Sequence, residues 1–191
     1  MSVAMLGAIV IALALGFARG GTLHRLSNIS LRWTPLLFEG LAIQLIFQLW
    51  DPPGLSRAAA LTVVLLSNLA VLVFLAGNLR TAGVFLLGLG LALNVVVIAA
   101  NQAMPVSPRA AETAGIPAPP SESTSLKHER LDDDTRLPWL ADVIPVPGLS
   151  EILSVGDIVL ALGMAQLVYV AMGARTAANE ERKRSARQAG R

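Results

Sequence analysis

Asp157, five residues past Ile152 near the mouth of the last apolar run, is the residue in this sequence best suited to chemistry, as an acid/base group or a ligand contact. Asp157 has a quieter alternative: Ser154 shares its helical face at i−3, and a bond between them would fix packing. His128 and Arg130 lie in the strip Lys127-His128-Glu129-Arg130, followed by Asp132-Asp133-Asp134. One histidine cannot hold zinc unaided, and the triple aspartate lacks the alternating spacing and glycine of a calcium loop, so no metal or cofactor is expected. Glu39, Asn94 and Asn101 complete the candidate set, each polar within or at the end of an apolar run.

Five apolar runs must position these groups: Val3 to Phe17, Trp33 to Trp50, Ala58 to Gly77, Gly83 to Ala100 and Ile152 to Gly173. A helix needs about 20 residues, at about 1.5 Å each, to cross a hydrocarbon core about 30 Å thick. The first run is slightly short and the last comfortably long. The whole chain of 191 residues is 54% hydrophobic and 15% charged, with a mean hydropathy of +0.62. Soluble domains carry about 25% charged residues. These values exclude a soluble enzyme, a disordered regulator and a nucleic-acid binder. The absence of cysteine excludes disulfides, thiolate metal sites and cysteine nucleophiles. The expectation is an all-α, five-helix transmembrane bundle of the cell membrane.

Met1 to Met5 carry no Lys or Arg, while Arg19, Arg25 and Arg32 follow the first run. That asymmetry is unlike a cleaved signal peptide and favours a retained helix with its N-terminus outside. The inner segments then hold ten Lys/Arg and the outer ones five, four of the five in one long loop that the positive-inside rule discounts. N-out, C-in is the expected topology, with the basic tail 174–191 in the cytoplasm.

Asp51-Pro52-Pro53-Gly54 predicts an abrupt outer turn. The short link Asn78 to Ala82 makes the third and fourth helices antiparallel neighbours, so their mid-depth Asn68 and Asn94 are expected to bond across the interface. Glu39 lies about 9 Å into its helix, which demands a proton, a partner or a polar cavity. Gln44 and Gln48 share another face of that helix. Gly156 and Gly163, seven apart, invite close approach of another helix. The outer loop of roughly 50 residues, 101–150, divides in two by composition. Residues 101–125, with five prolines, read as a flexible linker. Residues 126–150 regain apolar anchors, and Leu137-Pro138-Trp139-Leu140 reads as an interfacial segment. If that strip folds back onto the bundle, His128 becomes a pocket residue.

At these residues the sequence resembles a bacterial family of small multi-pass membrane proteins with no assigned function. The signature is Asn101-x-x-Met104-Pro105, His128-x-Arg130-Leu131, Thr135-x-Leu137, Leu140-x-Asp142-x-Ile144-Pro145 and Ser154-x-Gly156-Asp157-Ile158, within a likeness spanning about residues 1 to 173. The resemblance implies a helical membrane protein whose outer loop and last helix carry its special residues, and it supplies no reaction. A shorter likeness joins Asp142-x-Ile144-Pro145 and Ser154-x-Gly156-Asp157 to the end of lipoprotein signal peptidases. That resemblance implies Asp142 and Asp157 as paired carboxyls that share one proton and activate water for peptide hydrolysis, since neighbouring like charges cannot both ionise cheaply. It covers about 25 residues, without those enzymes' other motifs and with the aspartates closer in sequence.

The leading expectation is non-catalytic: the loop 126–150 folds over Glu39, Asn94, Asn101 and Asp157 to bind a lipid, a small ligand or a partner membrane protein. The alternative is an intramembrane aspartyl hydrolase using Asp142 and Asp157. A transporter subunit is the third reading.

Overall fold

The structure is a computed structural model, and it describes residues 2–49, 56–119, 128–173 and 188. The chain is mostly helical. Its helices are α1 (Val3–Ala18), α2 (Thr34–Leu49), α3 (Arg57–Gly77), α4 (Val84–Asn101), the short α5 (Pro108–Ala114) and α6 (Val155–Ala171). α3 and α4 are long and apolar enough to cross a membrane, and α1, α2 and α6 are shorter apolar helices. Their limits fall within a residue or two of the apolar runs, except that α6 begins three residues later, after a strand.

The five longer helices lie side by side in the order α2, α3, α4, α6, α1, so the last helix sits between the fourth and the first. Glycine decides the central seam. Gly83 and Gly90 on the α4 side face Gly163 and Gly156 of the antiparallel α6. A methyl group on Gly90 would come within 2.6 Å of the Gly156 carbonyl oxygen, and one on Gly163 within 2.7 Å of the Leu87 nitrogen. Both backbones therefore touch along a stripe that no larger side chain fits. Val71, Phe74 and Leu75 of α3 pack with Val84 and Leu87 of α4 beside this seam.

Helix ends are tied by side chains, as the unsatisfied terminal N–H and C=O groups require. Ser2 caps α1, Ser56 caps α3 and Ser154 caps α6. Both oxygens of Glu151 accept backbone N–H groups at the start of α1, from Val3 and Ala4, where a helix dipole favours a carboxylate. At the opposite end of the bundle Asn78 accepts from the Arg32 N–H at 2.8 Å and donates to the carbonyls of Arg32 and Phe74. That amide joins the end of α3 to the chain entering α2.

At the end of the bundle where α4 stops and α6 starts, the intervening chain forms a cap. β1 (Met104–Val106) pairs in parallel with β2 (His128–Arg130), Met104 opposite His128. β3 (Ile144–Val146) pairs antiparallel with β4 (Glu151–Leu153), Ile144 opposite Leu153. An all-α reading therefore gives way to a mostly helical one with two small sheets among the described residues. Strands of three residues are too short to leave a periodic signature.

The flexible-linker reading of 101–125 is corrected over its first part. β1 is wholly buried, and Ser107 and Pro108 start α5, whose Ala110, Ala111 and Ala114 are buried. Small side chains allow close backbone approach, so a stretch poor in large apolar residues still packs. Residues 120–125, the Asp51–Gly54 turn and 174–187 of the basic tail lie outside the described residues.

Candidate functional site

Asp157 occupies the first turn of α6 and forms a reciprocal capping box with Ser154. The Ser154 hydroxyl accepts from the Asp157 N–H at 3.0 Å, and Asp157 Oδ2 accepts from the Ser154 N–H at 2.9 Å. Across the glycine seam, Asn94 Nδ2 donates to Asp157 Oδ1 at 2.9 Å. The Ser154 hydroxyl has one proton and two acceptors within reach, Asp157 Oδ2 at 2.8 Å and Asn94 Oδ1 at 3.0 Å, so these bonds alternate. Ser154 is fully buried. Gly156 makes the network possible, since a methyl group there would collide with the Asn94 carboxamide. Asn94 thus pairs with Asp157 and not with Asn68. Asn68 accepts from Gln44 of α2 at 3.3 Å and donates to the Val64 carbonyl. The rotation of α3, which turns Asn68 toward α2, separates the two asparagines.

Asn101, the last residue of α4, anchors the cap. It accepts from the Arg136 N–H at 2.8 Å, donates to the Arg136 carbonyl at 2.9 Å and donates its second amide proton to the Val97 carbonyl at 3.0 Å. This is the device of Asn78 repeated at the other end of the bundle. Beside it Leu140 packs on Val97 and Met104, while Trp139 stands 63% exposed. Asn101→Ala is expected to cost about 2 kcal/mol, from three lost hydrogen bonds at about 1 kcal/mol or less each. Faster amide exchange confined to residues 131–137 would locate the damage.

Asp142 is the buried carboxyl of the cap. Its backbone is fixed on both sides, the N–H donating to the Pro105 carbonyl and the carbonyl accepting from the Ser107 N–H, both at 2.9 Å. The residue is only 8% exposed, yet its carboxyl accepts no hydrogen bond from the described residues. It lines a cavity of about 610 Å³ whose apolar wall includes Val106, Ile116, Pro117 and Ile152, with His128 and Glu151 also on its lining. His128 Nε2 lies 4.0 Å from Asp142 Oδ2. Burial, with a smaller contribution from the charge of Asp157, raises the Asp142 carboxyl from 3.8 to about 7.

The remaining candidates lie apart from this cavity. Arg130 is exposed and, with Asn101, Glu129 and Arg136, borders a separate polar hollow of about 330 Å³. Glu129 pairs with Arg57 at 3.3 Å. Asp132 organises a surface turn, accepting from Thr135 Oγ1 and from the Asp134 N–H. Glu39 is exposed on α2 and makes no hydrogen bond or ion pair among the described residues. Sequence reasoning missed Glu151 and Asn78. An acidic residue just before a helix is a signal for capping, but the helix that Glu151 caps begins 148 residues earlier.

No curated protein and no solved structure matches the chain. Residues 28–169 match a family described as Family of unknown function (DUF5317), a span that takes in α2 to α5, the cap and all but the last two residues of α6 and leaves out α1. The match begins later than the likeness read from sequence. With about three-quarters of its length matched, the chain belongs to the DUF5317 family of unknown function.

Proposed function

We propose that this is a five-span membrane protein, N-terminus outside and C-terminus inside, whose extracytoplasmic cap binds a small amphiphilic ligand against Asp142. Side chains on the outer faces of the helices support the membrane reading. Val10, Ile11, Phe38, Leu45, Leu66, Phe85 and Leu162 are each more than half exposed, on every one of the five longer helices. An apolar belt of that extent needs lipid or protein around it. Only 28% of the α3 span and 22% of the α4 span is buried inside the protein, unlike the core helix of a soluble domain. In the proposed topology the cap is outside and Asn78 sits at the inner end.

The observation that carries the binding reading is the Asp142 carboxyl, which accepts no hydrogen bond from the described residues, has His128 Nε2 at 4.0 Å and stands at the wall of a largely apolar cavity. A carboxyl that opens onto a cavity, with its hydrogen-bonding capacity largely unused by the described residues, is suited to a ligand. The cavity lining carries two carboxyls against one imidazole, and Glu151 already serves α1. A ligand with an ammonium group and a short apolar body fits this balance. The hydrolase reading requires Asp157 to share a water with Asp142, but the Asp157 oxygens are committed to Asn94 and Ser154. That commitment favours binding over hydrolysis.

The test is a thermal-shift comparison of hexylamine, hexanol and hexanoate on the detergent-solubilised full chain. Hexylamine is expected to stabilise the wild type most and Asp142→Asn least, with Asp132→Asn behaving as wild type. Equal shifts for wild type and Asp142→Asn would overturn the reading.

A further inference from the structure

We infer that the trough between α1 and α6 seats one anionic glycerophospholipid of the inner leaflet; the inference rests on the membrane reading above. The trough holds about 360 Å³ and is open along one side. Its walls are apolar over most of their length, with Ile11 and Leu15 of α1 facing Ala165 of α6 over a floor made by the buried Ala12. The polar groups are confined to one end. There Arg19 donates to the Tyr169 hydroxyl at 3.2 Å, and Gln166 lies one helical turn before Tyr169.

This order matches the order of groups in a phospholipid. Arg19 and Tyr169 lie where α1 ends and α6 closes, at the inner end of the proposed topology, level with a phosphate. Gln166, three residues deeper along α6, is displaced by about 4.5 Å along the axis, the side on which ester carbonyls lie. Its carboxamide makes no hydrogen bond among the described residues, although it stands exposed within an apolar helix, where an unsatisfied amide is costly. The apolar trough then continues along α1 toward Ile11 for an acyl chain. Charge sets the headgroup class. Arg19 has no carboxylate partner among the described residues, and neither has Arg25, which donates to the Gly173 carbonyl at the same end. A guanidinium with free donors beside a hydroxyl recognises a phosphate oxygen.

The experiment uses the full chain in nanodiscs of pure phosphatidylcholine and of phosphatidylcholine with phosphatidylglycerol, followed by mass spectrometry of retained lipid. Wild type is expected to retain about one phosphatidylglycerol in several-fold preference to phosphatidylcholine. Arg19→Gln is expected to lose most of that preference and Gln166→Leu part of it. Arg80→Gln, an exposed cation at the same end of the bundle, is expected to keep it. Equal loss in Arg19→Gln and Arg80→Gln would reduce the effect to general surface charge and overturn the seat. Carbonate extraction of the cell membranes in which the full chain is expressed separates the two levels of failure. A chain that resists extraction yet shows no lipid preference contradicts the seat alone, whereas a chain that washes off contradicts the membrane reading and the seat with it.

Discussion

Asp142→Asn is expected to stabilise the protein at pH 8 and to leave it nearly unchanged at pH 4. The Asp142 carboxyl rises from 3.8 to about 7 in the folded protein. Folding therefore favours its neutral form. The stabilising contribution is fully present below pH 3.8 and is lost as pH rises through 7, because the unfolded chain ionises first and the folded one must then bury an anion. A shift of about 3 units corresponds to about 4 kcal/mol between those limits. The side chain is only 11% exposed, so solvent screening discounts this little. Asparagine keeps the shape and removes the charge. Denaturant unfolding of both proteins in one detergent at pH 4, 6 and 8 isolates the effect as a difference curve. Its stabilisation should grow across that window and level off above pH 8, whereas parallel curves would mean that Asp142 is solvated.

Asp157→Ala is expected to destabilise the protein by about 3 kcal/mol, and Asp157→Asn by clearly less. Alanine removes the carboxyl that receives the Asn94 amide and the Ser154 N–H, and with it half of the capping box. Loss of a cap costs about 1 kcal/mol, and the Asn94 amide, left in an apolar seam, adds about 1–3 kcal/mol. Asparagine retains an acceptor for Asn94 and so preserves part of the seam. Thermal unfolding measures the difference. Two equal losses would show that the charge, and not the hydrogen-bond geometry, holds α6 against α4.

The sequence made the helices legible because each is an apolar run near the length a span needs, and runs of that kind have few other structures open to them. Neighbour relations were less legible. Gly156 and Gly163 announced a close helix–helix contact, but nothing local said that α4 and not α2 supplies the matching glycines. The two mid-depth asparagines posed the same problem: type and depth were visible, helix rotation was not, and Asn94 found Asp157 while Asn68 found Gln44. At the cap, composition misled in one part and served in another. Residues 104–114 look solvated by their prolines and alanines, yet pack through small side chains whose burial leaves little trace in hydropathy. The fold-back that brings His128 to a pocket was foreseeable from the apolar anchors Leu137 and Leu140, which need a surface to cover. Glu39 was picked out by its depth in an apolar run and Arg130 by a family signature, and neither borders the cavity that Asp142 lines.

The proposed binding at the cap would make a demand on protons that can be read directly. Near pH 7 the Asp142 carboxyl is about half protonated, and an ammonium group placed against it draws the carboxylate form. Calorimetric titration of the full chain with hexylamine at pH 7, repeated in two buffers of different ionisation enthalpy, counts the protons released. Saturable binding is expected with release of about half a proton per amine, and no such release from Asp142→Asn. Binding that is proton-neutral in wild type, or unchanged in the variant, would contradict it.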